Sequence, residues 1–463
     1  MDNCRKQVVL ALVSFEKDKS YSNLTLDKLL SRLKDRERAR ASTLFYGVIE
    51  RKLTLDYIIS KYCLSRMKNL SPIVLNILRT ALYQLRYMDS AKDYAIVSEA
   101  VELCRKLKNG YAAGFVNAVL RKYISKGILS SDMSGLPPFK QLEIEYSVPQ
   151  ELIMRWQEDY GESKTLEILK FSVEHARTTL KVNLSRTNTK ATIRSLIKEG
   201  FNAALASDCK SIPEKIRFCI EDCLFTDGYI ASADAYRRGW IYAQDISSQL
   251  CAAVAGYFAN RSDNPVILDL CAAPGSKSFT IANILNNKTE PAQNGKGSAY
   301  KIYAYDLNPA RAGLIRQGAK RLGFDINVNI NDAEKRNENL PQGDVVLCDV
   351  PCSGFGAIRR KPEIKYKTAA EIAALPNLQL SILETSAGYV KENGILLYST
   401  CTLLKAENEA VAARFLQANP DFEPEILPDF ITGAFGGQTE TTIFPGEVND
   451  GFFMASFRRI RNS

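Results

Sequence analysis

Apolar residues recur at spacings of three and four along the first part of the chain. The clearest sets run from Leu26 to Leu33, from Ile73 to Leu85 and from Val97 to Cys104. This period is typical of amphipathic helices, and Pro72, directly before the second set, suits the first turn of a helix. We therefore predict an all-helical bundle over residues 1–127.

A stretch rich in Gly, Ser and Pro follows the helical pattern, and it predicts a linker over residues 128–145. Shorter helical and alternating patterns come after this linker. They predict a small α+β (RRM-like) domain over residues 146–232. Its predicted elements are helices over 149–169 and 190–199 and strands at 179–184, 217–220 and 229–231.

From residue 233 onwards, apolar runs that predict buried strands alternate with helical patterns. Repeated β-then-α units imply a parallel sheet with helices on both faces, so residues 233–463 are predicted to be an α/β domain. Ligands of such sheets bind at the carboxyl ends of the strands. The Asn- and Gly-rich residues 286–298 predict a surface loop. The predicted strands are 266–270, 301–305, 326–330, 345–348 and 395–399, and the helices are 277–285, 309–322 and 371–390.

Composition adds a preference for a polyanionic partner. The chain has 61 Lys and Arg residues against 52 Asp and Glu residues, which gives a net charge of +9. Basic residues cluster between Arg32 and Arg40, and again at Lys106, Lys108, Arg121 and Lys122. These clusters are either solvated helix faces or a surface that contacts phosphates.

The residue types present argue against several kinds of site. The chain has one histidine, His175, which argues against a Ser-His-Asp triad and a His-rich metal site. Zinc held by Cys209, Cys219 and Cys223 would lack a fourth ligand. The 11 cysteines are scattered, and the sequence has neither a signal-peptide pattern nor an apolar run of about 20 residues, the length of a membrane span. We therefore expect a cytoplasmic protein with free thiols, no metal and no membrane partner.

The turn after the first predicted strand of the α/β domain has the composition of a ligand-binding loop. It reads Asp-Leu-Cys-Ala-Ala-Pro-Gly-Ser-Lys over residues 269–277, which matches neither a Walker loop nor G-x-G-x-x-G. Its small residues allow a ligand to approach the backbone, the following helix offers free N–H groups, and Lys277 adds a cation for a carboxylate. The next strand ends in Asp306, a position at which a carboxylate binds ribose hydroxyls or, alternatively, caps a helix.

Two cysteines follow predicted strands at the same edge of the sheet. Cys352 lies in Asp-Val-Pro-Cys-Ser-Gly-Phe-Gly over residues 349–356, and Cys401 lies in Ser-Thr-Cys-Thr over residues 399–402. Two thiols and the Asp349 carboxylate at one edge suggest a nucleophile, a partner thiol and an acid. A redox pair is a competing interpretation, although the chain has no C-x-x-C motif there.

These motifs resemble those of a known family. The sequences of residues 269–277, 349–356 and 399–402, with Gln244–Leu250 and Asp450–Ala455, are similar to motifs of S-adenosylmethionine-dependent RNA cytosine-5 methyltransferases of the NOL1/NOP2/Sun family. The N-terminal segments Tyr46–Val48 and Phe115–Arg121 resemble a NusB-like RNA-binding domain. Together the resemblances span nearly the whole chain, and their combination is similar to bacterial enzymes that act on 16S ribosomal RNA.

The resemblance implies a role for each candidate residue. Cys401 would be the nucleophile, Cys352 would help to release the product, and Asp349 would lie beside the cofactor and the target base. Ser276 departs from the family, which usually has Gly there, so this turn would be slightly less permissive. The cofactor S-adenosyl-L-methionine would be held at its ribose by Asp306, at its adenine by Asp332, and at its methionine part by Cys271, Ala272, Ala273, Pro274, Gly275, Ser276 and Lys277.

The reaction implied by the resemblance transfers a methyl group to C5 of a cytosine in 16S ribosomal RNA through a covalent bond between Cys401 and C6. A thiolate added at C6 makes C5 nucleophilic, and Asp349 would stabilise the adduct at the N3 edge. Lys277, Arg359 and Arg360 are expected to lower the pKa of the reactive thiol. Because the base must be unstacked to be reached, we expect single-stranded or loop RNA as the substrate, in unassembled or partly assembled small-subunit RNA. We also expect the enzyme to be a monomer.

Two other functions compete with this one. A catalytically idle RNA-binding or assembly factor would need only the basic helical domain, but it need not retain Cys352, Cys401, Asp349 and Lys277. In a DNA cytosine methyltransferase the cysteine of the Pro-Cys pair is the nucleophile, whereas the additional Cys401 here points to RNA.

Overall fold

The structure of the chain is a computed structural model that divides into two compact units. The first unit is Met1–Val173 with Lys361–Tyr366, and the second is Glu174–Arg360 with Lys367–Ser463. Several sequence predictions lie outside the described residues, among them Arg32, Lys34 and most of the loop predicted at 286–298. The structure describes residues 3–18, 30, 33, 35–63, 69–88, 92–127, 133–228, 230–288 and 300–460.

The first unit is helical throughout its described residues, as the apolar spacing predicted. The helix that begins at Pro72 has Ser71 as its N-cap, whose side chain accepts a hydrogen bond from the backbone N–H of Val74. One helix, Pro138–Tyr146, lies largely within the stretch where the sequence predicted a linker. The helices are Asn3–Asp18, Asp35–Glu50, Lys52–Cys63, Pro72–Tyr87, Asp93–Lys106, Ala113–Lys126, Pro138–Tyr146 and Gln150–Ser172.

Arg79 is a buried cation in the first unit, whose core is built of apolar side chains such as Leu44 and Ile58. The guanidinium of Arg79, which is 4% exposed, donates to Asp56 at 2.6 Å and to Glu16 at 2.6 Å. Burying a charge without such partners costs several kcal/mol, so this network is needed wherever the helices enclose Arg79. The inserted residue Tyr366 donates its hydroxyl proton to the backbone oxygen of Ile49 at 2.8 Å.

The second unit begins with a small antiparallel sheet of four strands, which are β1 (Thr178–Val182), β2 (Ala203–Leu205), β3 (Cys223–Thr226) and β4 (Ile241–Ala243). Their order in the sheet is β2-β3-β1-β4. The predicted strand at 179–184 and helix at 190–199 correspond to β1 and to the helix Thr189–Lys198. The strands predicted at 217–220 and 229–231 are wrong: Glu214–Ile220 and Ile230–Ser232 are 3-10 helices. The sheet is completed by β4, which lies beyond residue 232, the predicted end of the small domain.

The large sheet of the second unit has eight strands, and its parallel part confirms the alternating pattern. The strands are β5 (Val266–Asp269), β6 (Lys301–Asp306), β7 (Asn327–Ile330), β8 (Gly343–Asp349), β9 (Val390–Thr400), β10 (Phe422–Pro424), β11 (Glu440–Ile443) and β12 (Phe452–Arg459). Strands β5 to β9 are parallel in the order β9-β8-β5-β6-β7, whereas β10, β11 and β12 are antiparallel strands that the sequence analysis missed.

Helices cover both faces of this sheet, as predicted. Alternate residues of β8 enter different apolar cores: Val345 and Leu347 pack into one, and Val346 and Cys348 into the other. The helix predicted over 371–390 is two helices, since Pro376 begins a new one. After Thr189–Lys198, the helices of the unit are Asp234–Arg237, Ile246–Ala259, Ser276–Lys288, Pro309–Leu322, Ala369–Ala373, Leu375–Ala387, Glu409–Ala418 and Asp429–Phe435.

A search of the described residues for a helix long and apolar enough to cross a membrane finds none. A search of the same residues for clusters of His, Cys, Asp and Glu side chains that could hold a metal ion finds none. None of the 11 cysteines, all of which lie in the described residues, is in a disulfide bond.

Candidate active site

The structure brings the two predicted cysteines together at the carboxyl ends of β8 and β9. The Sγ atoms of Cys352 and Cys401 are 3.3 Å apart, within hydrogen-bond distance for sulfur, and both side chains are half-buried. The hydrogen bond to Cys401, burial and the nearby Glu407 carboxylate raise the pKa of the Cys352 thiol well above its ordinary value. The two sulfurs therefore share a hydrogen bond in which either thiol can be the donor.

A carboxylate and an amine form the second predicted part of the site. Asp349 ends β8 in register with Ser399 of β9, and the Ser399 hydroxyl donates to Asp349 Oδ1 at 2.9 Å. Lys277 donates from Nζ to Asp349 Oδ2 at 2.6 Å. Burial opposes the charge on Lys277, but the Asp349 carboxylate outweighs it and raises the pKa of Lys277 above its ordinary value. The ammonium group is thus bound to a carboxylate of the chain itself.

The buried Glu407 carboxylate supports the loop that carries Cys352. It is fully buried, and its Oε2 accepts hydrogen bonds from the backbone N–H of Ser353 at 2.8 Å and from Gln379 Nε2 at 2.9 Å. Lys367 donates to the backbone oxygens of Cys352 at 3.1 Å and Ser353 at 2.9 Å. Glu407 and Lys367 together fix the backbone on both sides of the peptide that follows Cys352.

The adjacent Asn408 supports the loop that carries Cys401. Its Oδ1 accepts from the Thr400 hydroxyl at 2.6 Å, and its Nδ2 donates to the backbone oxygen of Thr402 at 3.1 Å. The hydroxyls of Ser353 and Thr402 lie 2.6 Å apart and link the two loops directly. Sequence reasoning missed Glu407 and Asn408, because nothing in their local pattern shows that they reach back under the ends of β8 and β9.

Close backbone contact joins the two loops to the segment before β12. The N–H of Gly356 donates to the backbone oxygen of Cys401 at 2.9 Å, and the N–H of Gly451 donates to the oxygen of Gly356 at 2.9 Å. A Cβ atom added to Gly356 would lie 2.2 Å from the Gly451 oxygen and 2.9 Å from the Cys401 oxygen. Only glycine allows this approach.

Arg359 and Arg360, which the sequence analysis expected to lower the pKa of the reactive thiol, each have acidic partners for their guanidinium groups. Arg359 Nε donates to Asp450 at 2.7 Å, and Arg360 donates to Asp450 at 2.5 Å and to Asp245 at 3.0 Å. With Lys277 bound to Asp349, the predicted cations are all paired within this unit. Their role is to join the segment after the Cys352 loop to two distant parts of the chain.

The predicted ligand loop lies at the carboxyl end of β5. The Ala273–Pro274 peptide is cis, and Gly275 has a φ of 105°, which lies in the region that favours glycine. The N–H of Ala272 donates to the backbone oxygen of Tyr305 at 2.8 Å, so the loop is bonded to the end of β6. The remaining loop residues, Cys271 and Ser276, continue the turn into the helix Ser276–Lys288.

The structure separates the two predicted cofactor carboxylates by their surroundings. Asp306 is 3% exposed; one of its oxygens accepts from the N–H of Asn308 at 3.0 Å, and the other lies 3.3 Å from the guanidinium of Arg311. Asp332 is more open, and it already binds the N–H of Glu334 at 3.2 Å and the amine of Lys335 at 2.8 Å. Both interpretations of Asp306, turn stabilisation and ligand binding, remain compatible with these contacts.

Two buried polar atoms beside the loop have no hydrogen-bond partner in the described part of the chain. They are the side-chain Nδ2 of Asn331 and Oδ1 of Asp269, the first residue of the loop motif. The backbone N–H of Asn331 donates to the backbone oxygen of Asp306 at 3.3 Å. Burial raises the pKa of Asp269 to about 7. A free amide donor and acidic groups around a small-residue loop fit an adenosyl ligand, which offers ring nitrogens and hydroxyls.

Replacing Glu407 with Gln should lower the pKa of the Cys352 thiol, because the change removes a negative charge but retains an oxygen that accepts from Ser353. The pH dependence of Cys352 alkylation by iodoacetamide, followed by peptide mass spectrometry, measures this pKa. Glu338→Gln is the matched control, since the Glu338 side chain is 80% exposed. An unchanged or higher midpoint in Glu407→Gln would contradict the assigned influence of the carboxylate.

Replacing Gly356 with Ala should destabilise the second unit by roughly 1–3 kcal/mol, because backbone atoms must move to admit the new methyl group. Gly313→Ala is the control: a Cβ there meets nothing within 4 Å, and it should stabilise the helix Pro309–Leu322 by roughly 0.5–1 kcal/mol. Urea unfolding of both variants measures the difference. Equal stabilities of the two variants would show that the contacts of Gly356 are not tight.

Three family profiles match successive parts of the chain. They are described as the NusB family, matching residues 2–125, a ferredoxin-like domain of RsmF/B-like methyltransferases, matching 148–216, and 16S rRNA methyltransferase RsmB/F, matching 257–458. These matches confirm the predicted order of a NusB-like helical domain, a small α+β domain and a methyltransferase domain.

Proteins of known sequence and structure resemble the chain over nearly its full length. A Bacillus subtilis protein described as "Probable ribosomal RNA small subunit methyltransferase B" is 34% identical, with 97% of each chain covered. A Klebsiella pneumoniae ribosomal RNA small subunit methyltransferase B is 30% identical, with 96% of each covered. The fold is shared with the solved structure of PH0851 (TM-score 0.77, 22% identity, 99% of each chain covered). It is also shared with NSun6 from Pyrococcus horikoshii (TM-score 0.55, 18% identity, 68% of this chain and 99% of that one).

The length and level of these similarities decide the family. The identity to the Bacillus subtilis protein extends across both units, from the helical unit to the strands that carry the paired cysteines. The chain belongs to the ribosomal RNA small subunit methyltransferase B family.

Proposed function

We propose that the chain methylates C5 of a cytosine in 16S ribosomal RNA through a covalent bond between Cys401 and C6 of the base. Membership of the family makes it an S-adenosylmethionine-dependent ribosomal RNA methyltransferase. The choice of atom and the covalent step are the additions that we propose. Methyl transfer to a nitrogen or a ribose hydroxyl needs no thiol, so the paired thiols favour carbon.

The observation that carries the proposal is the distance of 3.3 Å between Cys352 Sγ and Cys401 Sγ at the edge where Asp349 and Lys277 also lie. Cytosine C5 is a poor nucleophile until a thiolate adds at C6. With Cys401 as the attacking thiolate, the Cys352 thiol, whose pKa is raised, would donate a hydrogen bond to the Cys401 sulfur and stabilise its negative charge.

The cofactor-binding residues are the loop 271–277 with Asp306, Asn331 and Asp332. When bound, S-adenosylmethionine supplies an electrophilic methyl group. Asp306 would accept hydrogen bonds from the ribose hydroxyls, and the free Nδ2 of Asn331 would donate to a ring nitrogen. Asp349, held by Lys277 and Ser399, would hydrogen-bond the edge of the cytosine that carries N3 and the amino group.

The protons balance if Cys352 acts as the base that releases the product. Cys401 adds to C6 as a thiolate, and C5 then takes the methyl group. Before the release step Cys352 loses its proton to solvent. Its thiolate then takes the C5 proton, the C5–H electron pair forms the C5=C6 double bond, and the bond between Cys401 and C6 breaks with its electron pair on the Cys401 sulfur. The Cys352 thiol and the Cys401 thiolate are thereby restored, and one proton has been released for each methyl group transferred.

The reaction is tested by transfer of a labelled methyl group from S-adenosylmethionine to small-subunit RNA and by mapping the modified atom. We propose unassembled or partly assembled small-subunit RNA as the substrate, because an enclosed base cannot be unstacked. Label at C5 of cytosine supports the proposal, and label at any other atom overturns it.

Substitution of the two cysteines separates their roles. Cys401→Ala should abolish methylation and any covalent RNA complex, since no other group can activate C5. Cys352→Ala should still attack but release product slowly, so a protein–RNA complex should survive denaturing electrophoresis and disappear when the RNA is digested. Cys209→Ala serves as the control outside the site. A complex that persists in Cys401→Ala and disappears in Cys352→Ala would reverse the assignment.

Cofactor affinity should depend more on Asp306 than on Asp332. A carboxylate that accepts two hydroxyls makes two charge-assisted hydrogen bonds, each worth roughly 1.5–3 kcal/mol, whereas an adenine amino group offers one neutral donor. Asp332 is in addition engaged by Lys335. Calorimetric titration of Asp306→Ala and Asp332→Ala with S-adenosylmethionine measures the two losses, and a larger loss in Asp332→Ala would refute the ranking.

A further inference from the structure

A groove in the first unit has the composition of a nucleic-acid-binding surface. It lies between the helices Asp93–Lys106 and Ala113–Lys126 and has a volume of about 660 Å³. Only a short connection separates the two helices in the chain, so they pack side by side and run in opposite directions. We infer that this groove binds a single-stranded segment of the substrate RNA, with Arg105 and Arg121 on its phosphates and Tyr94 against a base.

Each helix contributes one arginine to the groove. Arg105 comes from the end of the first helix and Arg121 from the second, and both side chains are exposed. Neither guanidinium forms an ion pair in the described part of the chain. The arginines of the second unit's site, by contrast, are bound to carboxylates. Unpaired guanidinium groups are available for phosphate oxygens, which they bind through two parallel hydrogen bonds.

Tyr94 gives the other end of the groove an aromatic surface. Its side chain is 73% exposed, far more than a tyrosine that packs in a core. At 1.5 Å per residue, Tyr94 and Arg105 are separated by about 16 Å along the helix, enough for a short run of nucleotides. An aromatic ring beside a basic groove is the usual arrangement for binding unstacked bases, because every base can stack on it.

The charge around the groove favours RNA over an acidic protein. Lys108, Lys122 and Lys126 are exposed on or beside the same helices, whereas Lys106 is paired with Glu102. The acidic side chain in the lining is Asp93, at the end near Tyr94. The polar groups of Asn117 and Ser98 lie between the two ends and can donate to bases or sugars. An acidic peptide would satisfy the arginines but would not use the exposed ring.

Gly114 offers a way to close the groove without disturbing the core. It lines the groove near Arg105, and an added Cβ meets no atom within 4 Å. A large side chain at this position would fill the groove from its floor, and it replaces a glycine in a helix, which favours the helical backbone. Gly114→Phe is therefore a blocking variant that is expected to fold.

The experiment measures binding of the full chain to a fluorescein-labelled 12-nucleotide single-stranded RNA by anisotropy over a range of salt concentrations. Arg105→Glu/Arg121→Glu should weaken binding at least tenfold. It should also reduce the slope of log K against log salt by about 1.4, the value for two phosphates of a single strand. Tyr94→Ala should weaken binding roughly tenfold with an unchanged slope, and Gly114→Phe should weaken it at every salt concentration.

Arg155→Glu/Lys170→Glu is the matched control, since it makes the same change of charge on the exposed face of the helix Gln150–Ser172. Equal losses in this control and in the groove variants, or unchanged binding in all groove variants, would overturn the inference. Two competitors test the occupant: displacement of the RNA by a polyglutamate peptide with equal efficiency would assign the groove to protein, and equal affinity for duplex RNA would exclude a role in stacking.

The inference rests on the proposed function only in taking ribosomal RNA as the nucleic acid, and the two fail separately. Cys401→Ala should bind the oligonucleotide as the unmodified protein does, because the groove and the thiols lie in different units. Normal groove binding without C5 methylation would refute the proposed reaction and leave the groove intact. C5 methylation by groove variants with unweakened RNA binding would do the opposite.

Discussion

The reactive part of the second unit depends on one buried carboxylate. Glu407 is fully buried, and its Oε2 accepts hydrogen bonds from a backbone amide beside Cys352 and from the side chain of Gln379, which offset part of the cost of burying the carboxylate. Because the next residue, Asn408, binds the loop of Cys401, two consecutive residues position both thiols. Glu407 and Asn408 thus fix the distance between the two sulfurs through the loops that they bind, without having to contact a substrate.

Charge compensation is the second constraint on this site. The ammonium group of Lys277 and the guanidinium groups of Arg359 and Arg360 each lie within 3.0 Å of a carboxylate oxygen. A thiolate on Cys401, as proposed, would therefore have the neighbouring thiol of Cys352 as a hydrogen-bond donor rather than an unpaired cation. A cation would have to leave its carboxylate partner to stabilise the thiolate, whereas a hydrogen bond between the two sulfurs disturbs no ion pair.

The sequence predicted local features better than features that depend on distant partners. Most of the parallel strands could be predicted from continuous apolar runs, such as those of β5, β8 and β9, whereas β7 was predicted from an alternation of apolar and polar residues. β12 could not, since it is a strand only through its pairing with β9 and β11. The prediction of a strand at residues 217–220 is wrong, because Ile216 and Ile220 are both buried and four residues apart, which is a helical spacing. The cysteines, Lys277 and Asp349 were predicted from their motifs, while the contact of Asp245 with Asp450 spans 205 residues and has no local signature.

The position of Asp450 along the chain has a consequence for how the protein is made. Asp450 binds Arg359 and Arg360, and the strand that follows it pairs with β9, which leads into Cys401. During synthesis on the ribosome, the helical unit and the small sheet can fold as they emerge, but the edge that carries the thiols stays open until residues 450–459 have left the exit tunnel. A nascent or prematurely terminated chain can therefore possess both cysteines and the ligand loop without holding them in place.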